Sequence, residues 1–571
     1  MPDRPLVTFD GQCGFCRLWV DYFKAITGDR VDYQASNEPA PRAVQFETFS
    51  GASAVFELLR YDPGYRWLAW LYQRIPLFAA FSEWAYRTVA AHRPFFYWIT
   101  RLLFGRHVLP LSYIRIEWLF IRALAAVYFI AFASFAVQVR GLIGSRGILP
   151  LGGYLQALSE SFGTSRYWLV PTIFWLRHDD AFLVFVCVAG AALAMVLLLG
   201  FAQRSVLALL FVLYVSLCSA GQDFMSFQWD MLLLEAGFLA VFLGSSRTMV
   251  WLMRWLLFRL MFLSGSVKLL SHDPAWRSLN AMRFHYWTQP LPTPAAWYVS
   301  QLPAWFQQDS TAMVLVTELV LPFLIFAPRR VRRFAAYGLL FLQVLILITG
   351  NYTFFNILAI ALCLFLFDDA RLPKWNFPKR IPHTRPRVAV AVLALIAILS
   401  GSQLMGTFLG YSPPLTSGLV RLAAPFGIVN TYGLFAVMTT QRPEIIVQGS
   451  NDGTNWLDYS FRYKPGDLRR PPPWVAPYQP RLDWQMWFAA LSNWRSNPWF
   501  ANFMVRLLDG SPDVTGLLEK SPFGSRPPKY VRALVFNYRF TDFAERRATG
   551  EWWHRELRGL YFPRISLADV R

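Results

Sequence analysis

Between residues 118 and 410 the chain is built from nine apolar runs with few charges. A stretch of that kind folds as helices that satisfy their own backbone hydrogen bonds inside lipid. The runs lie near Trp118–Val137, Ala181–Phe201, Ser205–Ala220, Met231–Leu243, Met249–Leu270, Met313–Ala327, Phe334–Thr349, Thr353–Phe367 and Val388–Gly410. A bilayer core takes about 20 helical residues. Several runs are shorter, so about nine spans are expected, some of them tilted or re-entrant. Composition agrees: 55% of the 571 residues are hydrophobic and 16% charged, below the roughly 25% charged content of soluble domains.

The expected fold is therefore multi-domain. A polytopic α-helical bundle fills residues 112–410. A thioredoxin-like α/β unit precedes it at 1–108, and a mostly-β extramembrane region with an inserted helical part follows at 441–571. In the first unit, Leu6-Val7-Thr8-Phe9 reads as a buried strand, Asp10-Gly11 as a turn, Cys13 as the opening of a helix and Val31-Asp32-Tyr33-Gln34 as a second strand. Two helical stretches follow, at Ala54–Arg60 and Phe81–Ala91. In the last region, Glu444–Gly449, Leu457–Tyr463 and Tyr530–Phe540 read as strands, Asn451-Asp452-Gly453 as a hairpin turn, and Trp484–Trp494 as a helix.

The net charge is +20. In a chain with this hydropathy, basic residues mark cytoplasmic loops and anionic headgroups. A basic module with interleaved aromatics of the RNA-recognition type is missing, so nucleic-acid binding is not expected. The densest basic clusters are Arg329-Arg330-Val331-Arg332-Arg333 and the linker holding Arg371, Lys374, Lys379, Arg380, Arg385 and Arg387. They are two spans apart and so share a side. Placing both in the cytoplasm puts the N-terminus inside and everything after the last span outside. Arg140 and Arg146, in the first outer loop, run against the rule. The start, Met1-Pro2-Asp3-Arg4, leads straight into the first strand rather than into a secretory h-region. The expected location is a multi-pass membrane site: the inner or cell membrane of a bacterium, or the endoplasmic reticulum of a eukaryote.

Of five cysteines, Cys187, Cys218 and Cys363 lie in apolar runs as small core residues, and none follows Tyr411. A disulfide framework for an exported domain is thus not available. Cys13 and Cys16 stand in Asp10-Gly11-Gln12-Cys13-Gly14-Phe15-Cys16, between strand and helix. There the free backbone N–H groups and the positive end of the helix dipole stabilise a thiolate. Cys13 would attack a disulfide and Cys16, one turn on, would resolve it. A structural or vestigial pair is the other reading. Zinc would need a second pair of ligands, which does not occur before His92. No metal and no cofactor is expected. The segment Phe9 to Cys16, with Gly51-Ala52-Ser53-Ala54-Val55 and Tyr86-Arg87 to Arg93, resembles the DCC1-like thiol–disulfide oxidoreductase family. The resemblance covers about the first hundred residues and implies the thioredoxin-like fold; it says little about a substrate. If the pair is redox-active, a cytosolic thiol redox partner is expected.

Charged residues within apolar runs are costly and so are candidates for function. Here they are Asp223, Asp230 and Glu235, then Arg259 and Lys268, then Glu318. Asp230 and Glu235 are five residues apart, on roughly opposed sectors of a helix, which disfavours a shared-proton dyad. One reading pairs these carboxylates with Arg259 or Lys268 on the next helix. The other makes Lys268 a base. His285, in the Trp- and Pro-rich stretch that follows, is either a hydrogen-bonded structural histidine or a general base or ligand. In the last region, Arg481 and Asp483 flank an aromatic helix. They form an ordering ion pair, or Trp484, Trp487 and Phe488 form an exposed surface for apolar client segments.

Several long motifs resemble the lipase maturation factor family. They are Gln222-Asp223-Phe224 to Leu234-Glu235, Phe258-Arg259 to Trp276-Arg277, Phe284 to Pro292, Gly350 to Asn356, Arg481 to Leu491, and Pro527-Pro528-Lys529-Tyr530-Val531-Arg532. The resemblance spans roughly residues 112 to 565. It implies an assembly role: vertebrate members in the endoplasmic reticulum help lipases reach an active dimeric state, with the C-terminal domain in the lumen. This chain departs from the family at Tyr478, where a His is usual, and in its fused CxxC segment. The implied partners are the bilayer and an exported client such as a lipase. A shorter likeness, Gly265-Ser266-Val267-Lys268 to Asp273 and Trp276, is to vitamin K-dependent carboxylases. It implies, as an alternative, a membrane enzyme using Lys268 as base on a lipid- or quinone-like substrate.

Overall fold

The computed structural model describes residues 4–36, 43–62, 64–105, 108, 111–244, 246–372, 384–524 and 526–570. The basic linker residues Lys374, Lys379 and Arg380 lie outside them. The chain forms two compact units. One comprises residues 1–115 with 324–336 and 366–377, and the other 116–323, 337–365 and 378–571.

In the first unit, β1 (Leu6–Asp10) leads into α1 (Gly14–Thr27), which returns the chain so that β2 (Asp32–Ser36) pairs with β1 in parallel. A parallel pair needs such a crossover. The short strands β3 (Gln45–Phe46) and β4 (Phe49–Ser50) extend the sheet antiparallel, in the order β2-β1-β3-β4. The buried residues Cys16, Val20, Phe23 and Thr27 recur along α1 at helical spacing, so one stripe of the helix faces the sheet. Four helices follow: α2 (Ala52–Leu59), α3 (Arg66–Arg74), α4 (Pro76–Ala91) and α5 (Arg93–Phe104). Val7, Leu18, Phe23, Ala54 and Leu58 form the centre of this unit.

All nine apolar runs are helical. They form α6 (Ile114–Ala136), α7 (Asp180–Leu199), α8 (Gln203–Ala220), α9 (Gln228–Val241) and α10 (Arg247–Leu270). After a short helix, α11 (Ala281–Thr288), come α12 (Ala304–Leu319), α13 (Arg329–Thr349), α14 (Phe355–Cys363) and α15 (Pro386–Leu409). Among the described residues seven helical stretches are long and apolar enough to cross a membrane: α6, α7, α8, α10, α12 with its extension to Phe326, α13 and α15. The chain is a multi-span membrane protein. With 14 residues, α9 is shorter, as is the stretch Phe355–Leu366. Ten of the residues of α9 are buried. A helix apolar and covered on all sides belongs to the interior of a bundle.

After the last span, β5 (Arg442–Ser450) starts a second sheet of order β6-β5-β7-β8, with β6 (Leu457–Asp458), β7 (Tyr530–Phe540) and β8 (Trp553–Ile565), all antiparallel. Asp452 Oδ1 accepts from the N–H groups of Thr454 and Asn455, and Gly453 takes φ +77°, which closes the expected turn after β5. The strand expected over Leu457–Tyr463 ends at Asp458. Beyond it Tyr459 still donates its N–H to the Val447 carbonyl of β5 at 2.9 Å, and the rings of Tyr459 and Phe461 pack on Phe523 and Phe503. Two helices, α16 (Arg481–Ala490) and α17 (Pro498–Leu508), are inserted before β7.

This region and the bundle belong to one unit, joined by hydrogen bonds to the loops at helix ends. Gln138, just past α6, accepts from the Arg481 N–H at 2.9 Å and donates to the Gln479 carbonyl at 2.7 Å. Asn351, between α13 and α14, accepts from the N–H groups of Val475 and Ala476 at 2.7 and 3.0 Å. Arg442 donates to the carbonyls of Trp287, in the last turn of α11, and of Pro290, just beyond it, both at 2.8 Å. Arg140 pairs with Asp513 at 3.3 Å, so a basic residue out of place in the loop pattern has a local acidic partner. Gly141 is obligatory there: a Cβ would lie 2.4 Å from the Asp513 carbonyl.

Candidate functional site

Among the described residues, three ion pairs whose side chains are both nearly fully buried involve the helical bundle. Glu235 on α9 meets Arg259 on α10, as the sequence suggests, and its second oxygen accepts from the Asn430 N–H at 3.0 Å and the Tyr432 hydroxyl at 2.8 Å. Asp230 does not meet a basic residue of the next helix. Its partner is Arg481 at the start of α16, which donates through both terminal nitrogens at 2.9 Å, while the Tyr214 hydroxyl also donates to Asp230. Lys268, in turn, pairs with Glu318 on α12 at 2.6 Å and donates to the Ser264 carbonyl at 3.0 Å. Every one of these side chains is at most 9% exposed. A charge so placed is tolerable only with a partner and further hydrogen bonds. Each carboxylate has its own cation, so Asp230 and Glu235 share no proton. Asp223 stays exposed beyond α8, and its contribution to the packing is a carbonyl that accepts from Gln485.

Around Lys268 and Glu318 the bundle leaves a cavity of about 90 Å³. Leu260, Met261, Val314, Ile346 and Phe355 supply its apolar walls. His285 on α11 reaches the same cavity, its Nε2 3.4 Å from the Tyr352 hydroxyl, which donates to Gln289 at 3.0 Å. Burial, helped by the charge of Lys268, lowers the His285 pKa to about 4, so the ring is neutral at pH 7. Gln343 and Asn356 close the inner wall, with Asn356 Nδ2 donating to Gln343 Oε1 at 2.7 Å.

In the last region the arrangement corrects two expectations. Arg481 and Asp483 are not paired with each other. Asp483 accepts from the N–H groups of Tyr463 and Lys464, both at 2.9 Å, which ties α16 to the loop before it; burial raises its carboxyl pKa. Nor do the aromatic rings form an exposed surface. Trp484 and Trp487 are 3% and 7% exposed. Trp484 packs edge-on against Trp229 at the start of α9, and the Trp487 ring N–H donates to the Thr288 carbonyl at 2.8 Å. Both rings face the bundle, because α16 lies over the ends of its helices. Phe488, at 42% exposure, remains available to a partner.

Sequence reasoning missed one buried cluster, Arg442, Glu444 and Lys464. Glu444 pairs with Arg442 at 2.7 Å and with Lys464 at 3.1 Å. Its signal was present: Arg442 and Glu444 are two apart, on one face of a strand.

In the first unit Cys13 caps α1, and its sulfur accepts from the Cys16 N–H at 3.4 Å. Asp10 accepts from the N–H groups of Gln12 and Cys13 and is held by Arg93 at 3.0 Å. Cys13 is partly exposed and Cys16 buried, both as free thiols. Burial, followed by the hydrogen bond with Cys13, pushes the Cys16 thiol pKa up to about 12. Among the described residues no group of three or more His, Cys, Asp or Glu is placed to hold a metal ion.

Comparison with known proteins adds the following. Residues 115–374 match the family model described as lipase maturation factor transmembrane domain, and residues 428–563 the one described as lipase maturation factor C-terminal domain. Similar proteins include a lipase maturation factor 2 of Gallus gallus, 36% identical over 79% of this chain and 81% of its own length. The lipase maturation factor 2 of Homo sapiens is 35% identical, covering 79% and 82%. A lipase maturation factor 1 of Bos taurus is 37% identical, covering 79% and 89%. No solved structure matches the chain.

Proposed function

The chain belongs to the lipase maturation factor family, and on that premise we propose that it is a membrane-embedded assembly and maturation factor for exported hydrolases, lipases being the client class. The observation that carries this reading is the mounting of the C-terminal region on the bundle. Asp230, Gln138 and Asn351 each hold a buried group from residues 475 to 481. A client-facing surface mounted in this way is fixed relative to the membrane through which the client emerges.

A topology with the N-terminus in the cytoplasm and residues 441–571 outside accompanies the proposal. The loops that hold the C-terminal region follow α6, α8, α11 and α13. They fall on one side of the bundle if α9 and α14 count as crossings. The arginines at 329–333 then fall on the cytoplasmic side. For the first hundred residues or so the proposed role is thiol–disulfide exchange with a cytosolic partner. It is supported by a partly exposed Cys13 at a helix N-terminus with Cys16 one turn away. The segments proposed to carry these roles are 1–108, 112–410 and 441–571. A base at Lys268 has less support, because its amine is engaged by Glu318 and the Ser264 carbonyl.

Co-purification tests the reading. The full chain, solubilised in mild detergent from cells secreting a dimeric lipase, should retain lipase that has not yet reached its active form. Recovery of no lipase, with the chain folded and abundant, would refute a client role.

A further inference from the structure

Inside the cavity, Asn356 is 1% exposed, its Nδ2 is engaged by Gln343, and its Oδ1 is buried with no hydrogen-bond partner. A buried acceptor left unmade costs free energy, and a donor from a ligand would recover it. The charges nearby cancel, because Lys268 and Glu318 form one ion pair at 2.6 Å. An anionic or cationic guest would therefore find no free counter-charge in the wall. The remaining lining is mostly aliphatic and aromatic, with Leu260, Met261, Val314 and Ile346 contributed by membrane-spanning helices. The cavity volume is about 90 Å³, room for the hydroxyl-bearing end of a guest rather than for a whole small molecule, whose sites run to about 300–1,000 Å³.

We propose that this cavity receives the hydroxyl end of a neutral membrane lipid, which donates to Asn356 Oδ1 beside Met261, Val314 and Ile346 while the lipid's chains stay in the bilayer. Acylglycerols with one unesterified position have this chemistry: no charge, one donor and long apolar chains. The bilayer itself is the reservoir, since three of the helices that line the cavity are spans. The proposal does not depend on the client role, because its test reads lipid rather than hydrolase.

The test is photo-crosslinking of the full chain in phosphatidylcholine vesicles with a diazirine-bearing dioleoylglycerol, with labelled peptides mapped by mass spectrometry. Labels are expected on α10, α12 and α13 at the cavity wall. Excess dioleoylglycerol should compete them away, whereas trioleoylglycerol, which lacks the hydroxyl, and oleate, which is anionic, should not. Asn356→Leu should cut specific labelling about tenfold, the loss expected for one buried hydrogen bond together with its unpaired partner. Val314→Phe, which narrows the cavity from α12 and leaves Asn356 in place, should cut it as well, and decides the matter if Asn356→Leu does not fold. Labels confined to the lipid-facing helix surface of the wild-type chain would overturn the proposal. Equal competition by trioleoylglycerol would do the same for the hydroxyl, and equal competition by oleate for neutrality.

Discussion

Arg481 and Asp230 lie 251 residues apart in sequence and meet through two hydrogen bonds of 2.9 Å, with neither side chain exposed. One belongs to the region after the last span and the other to the first turn of the buried helix α9. The pair is the clearest sign that the membrane bundle and the C-terminal region fold as one object.

Removing one partner leaves the other charged, buried and alone, which costs about 3–5 kcal/mol. Arg481→Met and Asp230→Asn should each lower the melting temperature in detergent and the amount of chain recovered from membranes. The double variant should lose less than the sum of the two, because neither charge is then stranded. Strict additivity in a thermal-melt cycle would show that the pair is not a coupled unit.

Trp487 is a structural residue in this account. Trp487→Ala should destabilise the chain by about 3–5 kcal/mol, the usual cost of deleting a large buried ring, and protease resistance in detergent should fall with it. Phe488→Ala, at an exposed ring, should leave protease resistance unchanged and weaken client recovery. An abundant, protease-resistant Trp487→Ala variant would contradict the packing described.

His285 supplies a pH dependence. Its ordinary pKa of 6.5 is lowered to about 4 by burial and by the charge of Lys268. Between those values an unfolded chain takes up a proton that the folded chain refuses. The stability from the neutral ring is therefore complete above about pH 6.5 and is lost as the pH falls toward 4. Melting temperatures measured from pH 7 down to 4.5 should fall more steeply for the wild type than for His285→Gln. Parallel curves would mean that the ring is not held neutral.

The thiols should differ in reactivity. With its pKa near 12, Cys16 stays protonated at pH 8, whereas Cys13 is the partly exposed thiol at the helix N-terminus. Iodoacetamide at pH 8 should modify Cys13 and spare Cys16. In cells, Cys16→Ser should trap a mixed disulfide through Cys13, and Cys13→Ser should trap none. Equal trapping by the two variants would remove the redox reading.

Much of this architecture was legible because lipid imposes a simple rule on sequence. Each of the nine apolar runs became a helix, with ends displaced by a few residues in most cases. At Ala304–Leu319 the helix starts nine residues before the run at Met313, because Gln307, Asp309 and Ser310 dilute its hydropathy without interrupting the helix. Hydropathy did not distinguish α9, which is buried inside the bundle, from helices that face lipid, since both environments select apolar residues. Glu235 and Arg259 were legible as partners because adjacent helices must meet. Arg481 was not, because nothing local in its sequence points across 251 residues to Asp230. β7 was read to its exact ends from its alternation. β8 was missed: it carries His554, Arg555, Glu556 and Arg558, and its pairing with β7 slips in register, which breaks the period. The aromatic helix misled for a related reason. Trp484 and Trp487 look like a sticky surface in sequence, and only the bundle beneath them shows that the surface is already covered.

The central claim is that this chain brings an exported hydrolase to its active state. It is tested most directly by the specific activity of a secreted lipase, per molecule of lipase, expressed with and without the chain. The account expects specific activity to rise several-fold with the wild-type chain and to return to baseline with Arg481→Met, while lipase synthesis stays constant. Specific activity that is the same with and without the wild-type chain, at equal lipase amounts, would contradict it.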